Sequence, residues 1–207
     1  MCGRYVVTNA VTKTKGLVKS AIQIEDNENY NAHPYQNLPV IKKYTNGSAL
    51  EKLKWGIVPS WSKKKDFKPL INSRLETIDE KISFKKLIKL KRCIAIADGF
   101  YEWKRTEKEK KPFFFQRQDK KTIYFAGIYD ENEFCLITEQ ASENLLAIHH
   151  RQPVILNQKD LKSYLDLQLD GSAFLKEAKK PRLEFYEVSK DVNKPTNNSV
   201  SLIQKFN

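Results

Sequence analysis

The 207-residue sequence holds little cysteine, glycine or proline: three, seven and eight residues. Cys2, Cys93 and Cys135 are an odd set with no CxxC spacing. Neither a disulfide framework nor a four-ligand zinc site can be drawn from them, and a reducing cytoplasm is the expected compartment. Sparse glycine and proline, with 11% aromatic residues spread throughout, exclude disorder as the main state. No segment approaches the roughly eighteen apolar residues of a membrane span. The opening MCGRYVVTNAVTK turns polar too soon for a secretory signal. A soluble monomer is expected, with no metal, no cofactor and no membrane partner.

Positive charge is plentiful. Lys and Arg number 37 against 25 Asp and Glu, a net charge of +12. The excess is concentrated: residues 81–121 carry +9, residues 1–80 carry +5 and residues 122–207 carry −2. A block of this sign attracts polyanions and speeds encounter with them. The plain alternative is a solvated helix face followed by a charged hairpin loop, KRTEKEKKP. A nucleic-acid partner would bind with steep salt dependence.

Alternating patterns predict strands at GRYVVT, LPVIKKYT, ALEKLKWGIVP, RCIAIADGFYEWKR, PFFFQRQ, TIYFAGIYD, EFCLIT, RQPVIL and RLEFYEVS. Helical spacing is rarer: residues 78–90, 143–148, 158–167 and 172–178. Many strands with short turns and few helices predict an α+β fold, a curled, mostly antiparallel sheet or barrel-like core with flanking helices. One domain over residues 1–207 is expected, its core roughly 2–190 and its tail 191–207.

The first four residues, MCGR, carry the most chemistry. Methionine aminopeptidases accept a small second residue, so the mature chain can begin at Cys2 with a 1,2-aminothiol. The ordinary pKa values, about 7.7–8 for an α-amine and about 8.5 for a thiol, leave both partly nucleophilic at neutral pH. With an aldehyde, the amine forms an imine and the thiol closes a five-membered thiazolidine, a far more persistent product. Gly3 permits close backbone approach to a ligand, and Arg4 can contact a phosphate. Against this stands the simple alternative that a cysteine at position 2 does nothing. N-terminal-nucleophile amidotransferases also begin MCG, but the GHxRxST-like glutamine-pocket segment they need is missing.

Four further segments set polar groups in apolar frames. WGIVPSW (55–61) brackets Pro59 with Trp55 and Trp61, suited to core packing or to stacking on unpaired bases. INSRLETI (71–78) puts Asn72, Arg74 and Glu76 on one face of a strand. In DGFYEW (98–103), Glu102 lies between Tyr101 and Trp103, where desolvation raises a carboxyl pKa toward acid–base duty near neutrality. A surface or ion-paired Glu102 is the alternative. AIHHRQPVIL (147–156) carries His149 and His150, of which at most one is expected to face a site.

Taken in order, MCGRY, NAHPYQ, WGIVPSW, INSRLET, DGFYEW, AGIYD and HHRQPVIL resemble the SRAP domain over roughly residues 2–190. That family includes the bacterial SOS-response-associated peptidases and the eukaryotic sensor of abasic DNA. The resemblance implies the SRAP fold and covalent capture of abasic sites in single-stranded DNA as a thiazolidine crosslink, shielding the lesion from strand cleavage. It assigns Cys2 as the crosslinking residue, Asn72 to positioning, Glu102 to proton transfer during Schiff-base chemistry, and His149 to ring opening and reversal. Arg4 and Arg74 match phosphate contacts, and Trp55, Gly56, Pro59 and Trp61 match the segment that wedges the strand. The chain departs from the family in having Gln152 where HxRMP has Met, NAHPYQ for NxAPTQ, and Asn72-Ser73-Arg74 for NAR. His149 fits the motif register better than His150. The alternatives are a thiol autopeptidase that removes its own Met1 and a non-covalent single-strand binding module.

Overall fold

The computed structural model describes residues 2–62, 64 and 66–206. From β1 (Tyr5–Thr8) the chain passes through α1 (Ala10–Thr14) and β2 (Ser20–Ala21) to β3 (Glu28–Ala32), β4 (Asn37–Tyr44) and β5 (Gly47–Trp55). β6 (Asn72–Arg74) and α2 (Leu87–Leu90) precede β7 (Arg92–Ala97), β8 (Gly99–Arg105), β9 (Lys110–Arg117), β10 (Ile123–Asp130) and β11 (Glu133–Gln140). Then come α3 (Glu143–Leu146), β12 (Arg151–Pro153), β13 (Ile155–Leu156), α4 (Leu161–Leu165), α5 (Gly171–Glu177) and β14 (Leu183–Glu187).

The strands form two sheets. One is antiparallel, in the order β14-β9-β8-β1-β3. The other runs β12-β11-β10-β7-β4-β5-β2, with β6 attached to β11 and β13 to β10. Its far members also meet, because Lys54 and Trp55 pair in parallel with Glu133 and Phe134. That seam is short, so the sheet is curled and barrel-like without a full closing ladder. The α+β architecture with a curled, mostly antiparallel core agrees with the alternation in the sequence.

Large aromatic residues fill the interior. Tyr5, Trp55, Phe100, Phe115, Phe125 and Phe134 are each at most 1% exposed. Phe100 stacks on Phe115 with centroids 4.9 Å apart, and Trp55 stacks on Phe134 at 6.3 Å. Burying side chains of this size contributes on the order of 2–3 kcal/mol apiece before entropy is charged against it.

Two sequence expectations are corrected. The segment RCIAIADGFYEWKR is two strands, β7 in the curled sheet and β8 in the other. The chain crosses between sheets at Asp98, whose Oδ2 accepts from the Thr8 amide and hydroxyl at 2.8 Å each and whose Oδ1 pairs with Lys13. Gly99 follows, where a Cβ would lie 2.2 Å from the Phe114 ring and 2.5 Å from the Phe115 carbonyl oxygen. Residues 78–90 are mostly turns, with α2 alone helical. Ile78 is fully buried while Ile82 is 69% exposed, so the apolar spacing does not make one stripe. The tail expected at 191–207 is anchored to the fold at two buried residues. Val192 and Leu202 are buried with Val6, Tyr101, Phe114 and Val188 in a second apolar cluster on the outer side of the antiparallel sheet.

Candidate active site

β1 leads the N-terminus into the site. Tyr5 pairs with Phe100 on β8, and the Tyr101 amide donates to the Arg4 carbonyl at 2.9 Å, so the residues ahead of β1 run beside Glu102. Cys2 is fully buried, its Sγ 3.8 Å from the Arg4 carbonyl oxygen. Burial, reinforced by the charge of Glu102, pushes its thiol far above the ordinary range. The thiol is therefore protonated at neutral pH, more so than an exposed N-terminal cysteine.

Asn72 reaches the same residue from the other sheet. β6 is held in parallel register on β11, with Asn72 beside Leu136, and the Asn72 Nδ2 donates to the Cys2 carbonyl at 2.9 Å. The Asn72 Oδ1 is buried and makes no hydrogen bond among the described residues.

Glu102, on β8, is 3% exposed, and desolvation raises its carboxyl pKa above the ordinary glutamate range. The flanking tyrosine and tryptophan of the sequence foretell this setting. His149 is half-buried, and burial lowers its pKa, which keeps the ring neutral at pH 7. Its Nδ1 lies 3.0 Å from the Arg151 amide nitrogen and 3.1 Å from the Arg151 carbonyl oxygen, which anchors that edge of the ring to the backbone. His150 is exposed and stacks on His149 with centroids 4.5 Å apart.

Glu102 and His149 share a cleft of about 450 Å³, completed by Trp103, Arg105, Lys110 and Asn193. The segment bearing His149 is braced from below. Arg151 makes a fork-to-fork pair with Glu76 at 2.7 and 3.0 Å and also donates to the Thr138 carbonyl at 2.8 Å. Gln152 accepts from the Ser142 amide and donates to Glu139, both at 3.0 Å. No group of three or more His, Cys, Asp or Glu among the described residues is arranged to hold a metal.

Residues 1–195 match the family described as SOS response associated peptidase, SRAP. The chain belongs to the SRAP family. Among its relatives, the abasic site processing protein YoqW of Bacillus subtilis is 34% identical over 99% of both chains. The abasic site processing protein YedK of Escherichia coli is 30% identical, again over 99% of each. A crystal structure of a Bacteroides thetaiotaomicron protein superposes with a TM-score of 0.84 at 23% identity, covering 99% of this chain and all of that one, which shows the shared fold.

This SRAP chain draws Cys2, Asn72, Glu102 and His149 from both sheets and the loop after α3 toward one region. The residues expected to hold DNA are placed less uniformly. Arg74 is exposed on β6, two residues from Asn72 and free of ion pairs among the described residues. Arg4 is half-buried, and its Nη1 donates to the Asn31 Oδ1 at 2.6 Å and the Val192 carbonyl at 2.8 Å. Part of its guanidinium is thus committed to holding the C-terminal turn.

Trp55 is corrected outright. It is fully buried, its Nε1 donating to the Ile71 carbonyl at 2.9 Å, and both ring faces are occupied by protein, so no base can stack on it. Gly56 sits at φ +131° in the left-handed region, where a Cβ would press to 3.0 Å from Pro69. Pro59 is buried too, whereas Trp61 is 51% exposed with only an edge contact to Phe67. Of this segment, Trp61 alone offers an indole to solvent. Arg105 and Lys110 were hidden within the basic block, where nothing separates a cleft cation from a solvated one. No local signal marks Asn193, which reaches the cleft by accepting from the Trp103 Nε1 at 2.7 Å.

Proposed function

We propose that this protein processes abasic sites in single-stranded DNA by covalent capture at Cys2 once Met1 has been removed. The observation that carries the proposal is the convergence of Asn72 on the Cys2 carbonyl with a desolvated carboxyl, Glu102, whose charge reaches the thiol. That two full-length relatives are named abasic site processing proteins supports the same reading.

The ring-opened deoxyribose presents an aldehyde. The free amine of Cys2 adds to it, and the carbinolamine loses water to give an imine. Glu102, protonated more readily than an ordinary glutamate, donates the proton that lets water leave and takes it back as the thiol reacts. Sγ then bonds to the carbon of the protonated imine, the nitrogen keeps its proton and the thiol proton returns to Glu102, closing the thiazolidine with one water released overall. A protonated thiol suits this order, because the amine attacks first and the sulfur is needed only in the second step. His149, neutral at pH 7, assists sugar ring opening and the reverse reaction. Arg4, Arg74 and Trp61 hold the strand.

The test is a denaturing gel with a single strand made abasic by uracil removal. A heat-stable shifted band is expected from the mature chain, and none from Cys2→Ala or from a chain with a blocked N-terminus. An undiminished band from Cys2→Ala overturns the proposal.

The peptidase in the family's description favours a second activity at the same place, removal of Met1 by the chain itself. Mass spectrometry of the unaltered chain and of Glu102→Ala, both made in cells lacking methionine aminopeptidase, checks it. Met1 lost from the unaltered chain but kept by Glu102→Ala supports self-cleavage, and Met1 kept by both assigns the step to the host.

A further inference from the structure

We propose that a basic cleft at the far end of β9 binds the phosphate backbone of the DNA strand, as a second contact region beyond the cleft of Glu102 and His149. The proposal rests on the DNA reading above for its ligand. The cleft has a volume of about 410 Å³, and its charged walls are Arg117, Asp119, Lys159, Lys179, Lys180 and Arg182. Five cations face one carboxylate.

The ion pairs within and around the cleft leave an excess. Asp119 is taken by Arg117 in a bidentate pair at 2.7 and 2.6 Å, and Lys180 lies 3.7 Å from Glu139. Lys120, nearby, pairs with Glu184. Lys159, Lys179 and Arg182 are exposed and make no ion pair among the described residues. Three unpaired cations around one concavity repel one another, and the fold gains nothing from that.

Their backbones are nevertheless fixed, because three separate loops are tied together beneath them. The Asn157 Nδ2 donates to the Lys179 carbonyl at 2.6 Å, and the Gln118 amide donates to the Arg182 carbonyl at 3.1 Å. Lys180 donates to the Leu175 carbonyl at 2.6 Å. A set of cations on cross-braced loops is pre-organised for an anionic chain in a way that a lone surface lysine is not.

Two routes connect the cleft to the active site. Along β9, Phe113 is the pairing partner of Glu102, and Arg117 lies four residues further on the same face of the sheet, about 14 Å away at the usual strand rise. Along β11, the Lys180 partner Glu139 is paired with Gln152, which braces the loop carrying His149. A strand of a few nucleotides spans that separation, so one DNA molecule can occupy both regions.

The experiment compares the full chain with the triple variant Lys159→Gln, Lys179→Gln, Arg182→Gln, each also carrying Cys2→Ala so that binding is read without capture. Affinity for an intact long single strand is measured across a salt series. Each lost phosphate contact lowers the slope of log K against log salt by about 0.7 on single strands, so the triple change should lower it by about 2. A short strand that fits only the cleft of Glu102 and His149 should show no change. An unchanged slope on the long strand overturns the proposal, as does an equal loss on the short strand. Crosslinking by the chain that retains Cys2 is scored separately. An adduct with an unchanged slope leaves the capture chemistry standing and removes the second contact region. A lowered slope without an adduct does the reverse.

Discussion

The side-chain amide of Asn72 donates to the carbonyl oxygen of Cys2 across 2.9 Å, joining the curled sheet to the N-terminal segment. Seventy positions apart in the sequence, the two are brought together by the parallel pairing of β6 with β11. The bond fixes the backbone of Cys2, the residue proposed to react, so its loss acts on orientation more than on folding. Asn72→Ala is expected to slow adduct formation by about a hundredfold, the scale of a small misplacement of a reacting group. The same change should cost only about 1 kcal/mol in stability. A time course on abasic single strand and a thermal melt check both halves. Equal rates in the two proteins would show that Asn72 is merely structural.

Opposite pKa shifts at Glu102 and His149 set the pH behaviour. Burial raises Glu102, so its neutral form is favoured in the folded state and the associated stability is lost as pH rises through its folded pKa. Burial lowers His149, so the stability tied to its neutral form is present above an ordinary histidine pKa and lost as pH falls through the depressed one. Glu102→Gln should therefore raise the melting temperature at pH 8 by a few degrees, with the gain vanishing below pH 4, where both proteins are neutral at this position. It should also remove the limb of the rate profile that follows Glu102 ionisation. A variant that melts lower at pH 8 contradicts the desolvation account.

Gln152 stands where the family motif has methionine, and both ends of its carboxamide are engaged, the oxygen accepting from Ser142 and the nitrogen donating to Glu139. Methionine fills a similar volume but satisfies neither group. Gln152→Met is expected to cost about 1–3 kcal/mol, the range for a buried polar group left without its partner. Because the loop it braces carries His149, adduct reversal should be affected more than adduct formation. Formation and release rates measured on the same variant separate the two. Rates that change in equal proportion would place Gln152 outside the positioning of His149.

Chemistry-bearing residues were more legible in the sequence than the scaffold that aims them. The aminothiol potential of Cys2 follows from its position alone, and the apolar frame of Glu102 is local, so both are visible without coordinates. The sequence predicts one strand over RCIAIADGFYEWKR, and its division between two sheets at Gly99 involves Phe114 and Phe115 crowding that glycine, contacts distant in sequence. β3 does not stand out in the sequence because the residue it buries at mid-strand, Asn31, is polar, while its aromatic neighbour Tyr30 is only half-buried. The tail expected at 191–207 offers only Val192 among polar neighbours and the short stretch VSLI, too little apolar sequence to predict an element, yet Val192 and Leu202 are buried in one cluster with Tyr101 of β8 and Phe114 of β9. The His149 brace joins Glu76, Thr138 and Arg151, and no spacing rule connects residues so far apart.

The two tryptophans of WGIVPSW have opposite fates, and that contrast can be measured. Trp55 is enclosed by Tyr5 and Phe134, so Trp55→Ala opens a large cavity and should cost about 3–5 kcal/mol. If that variant fails to fold, Trp55→Phe supplies a milder loss in the same direction. Trp61 is half exposed with one edge on Phe67, and Trp61→Ala should move stability by no more than about 0.5 kcal/mol. On DNA the order reverses. Removing the exposed indole should weaken single-strand binding by about 1–3 kcal/mol, the range for one stacked base. Trp55→Phe should leave affinity unchanged once the fold is intact. Chemical denaturation and fluorescence titration on the same preparations give both quantities. Weakened binding by a folded Trp55→Phe alongside normal binding by Trp61→Ala would move the stacking surface away from Trp61 altogether.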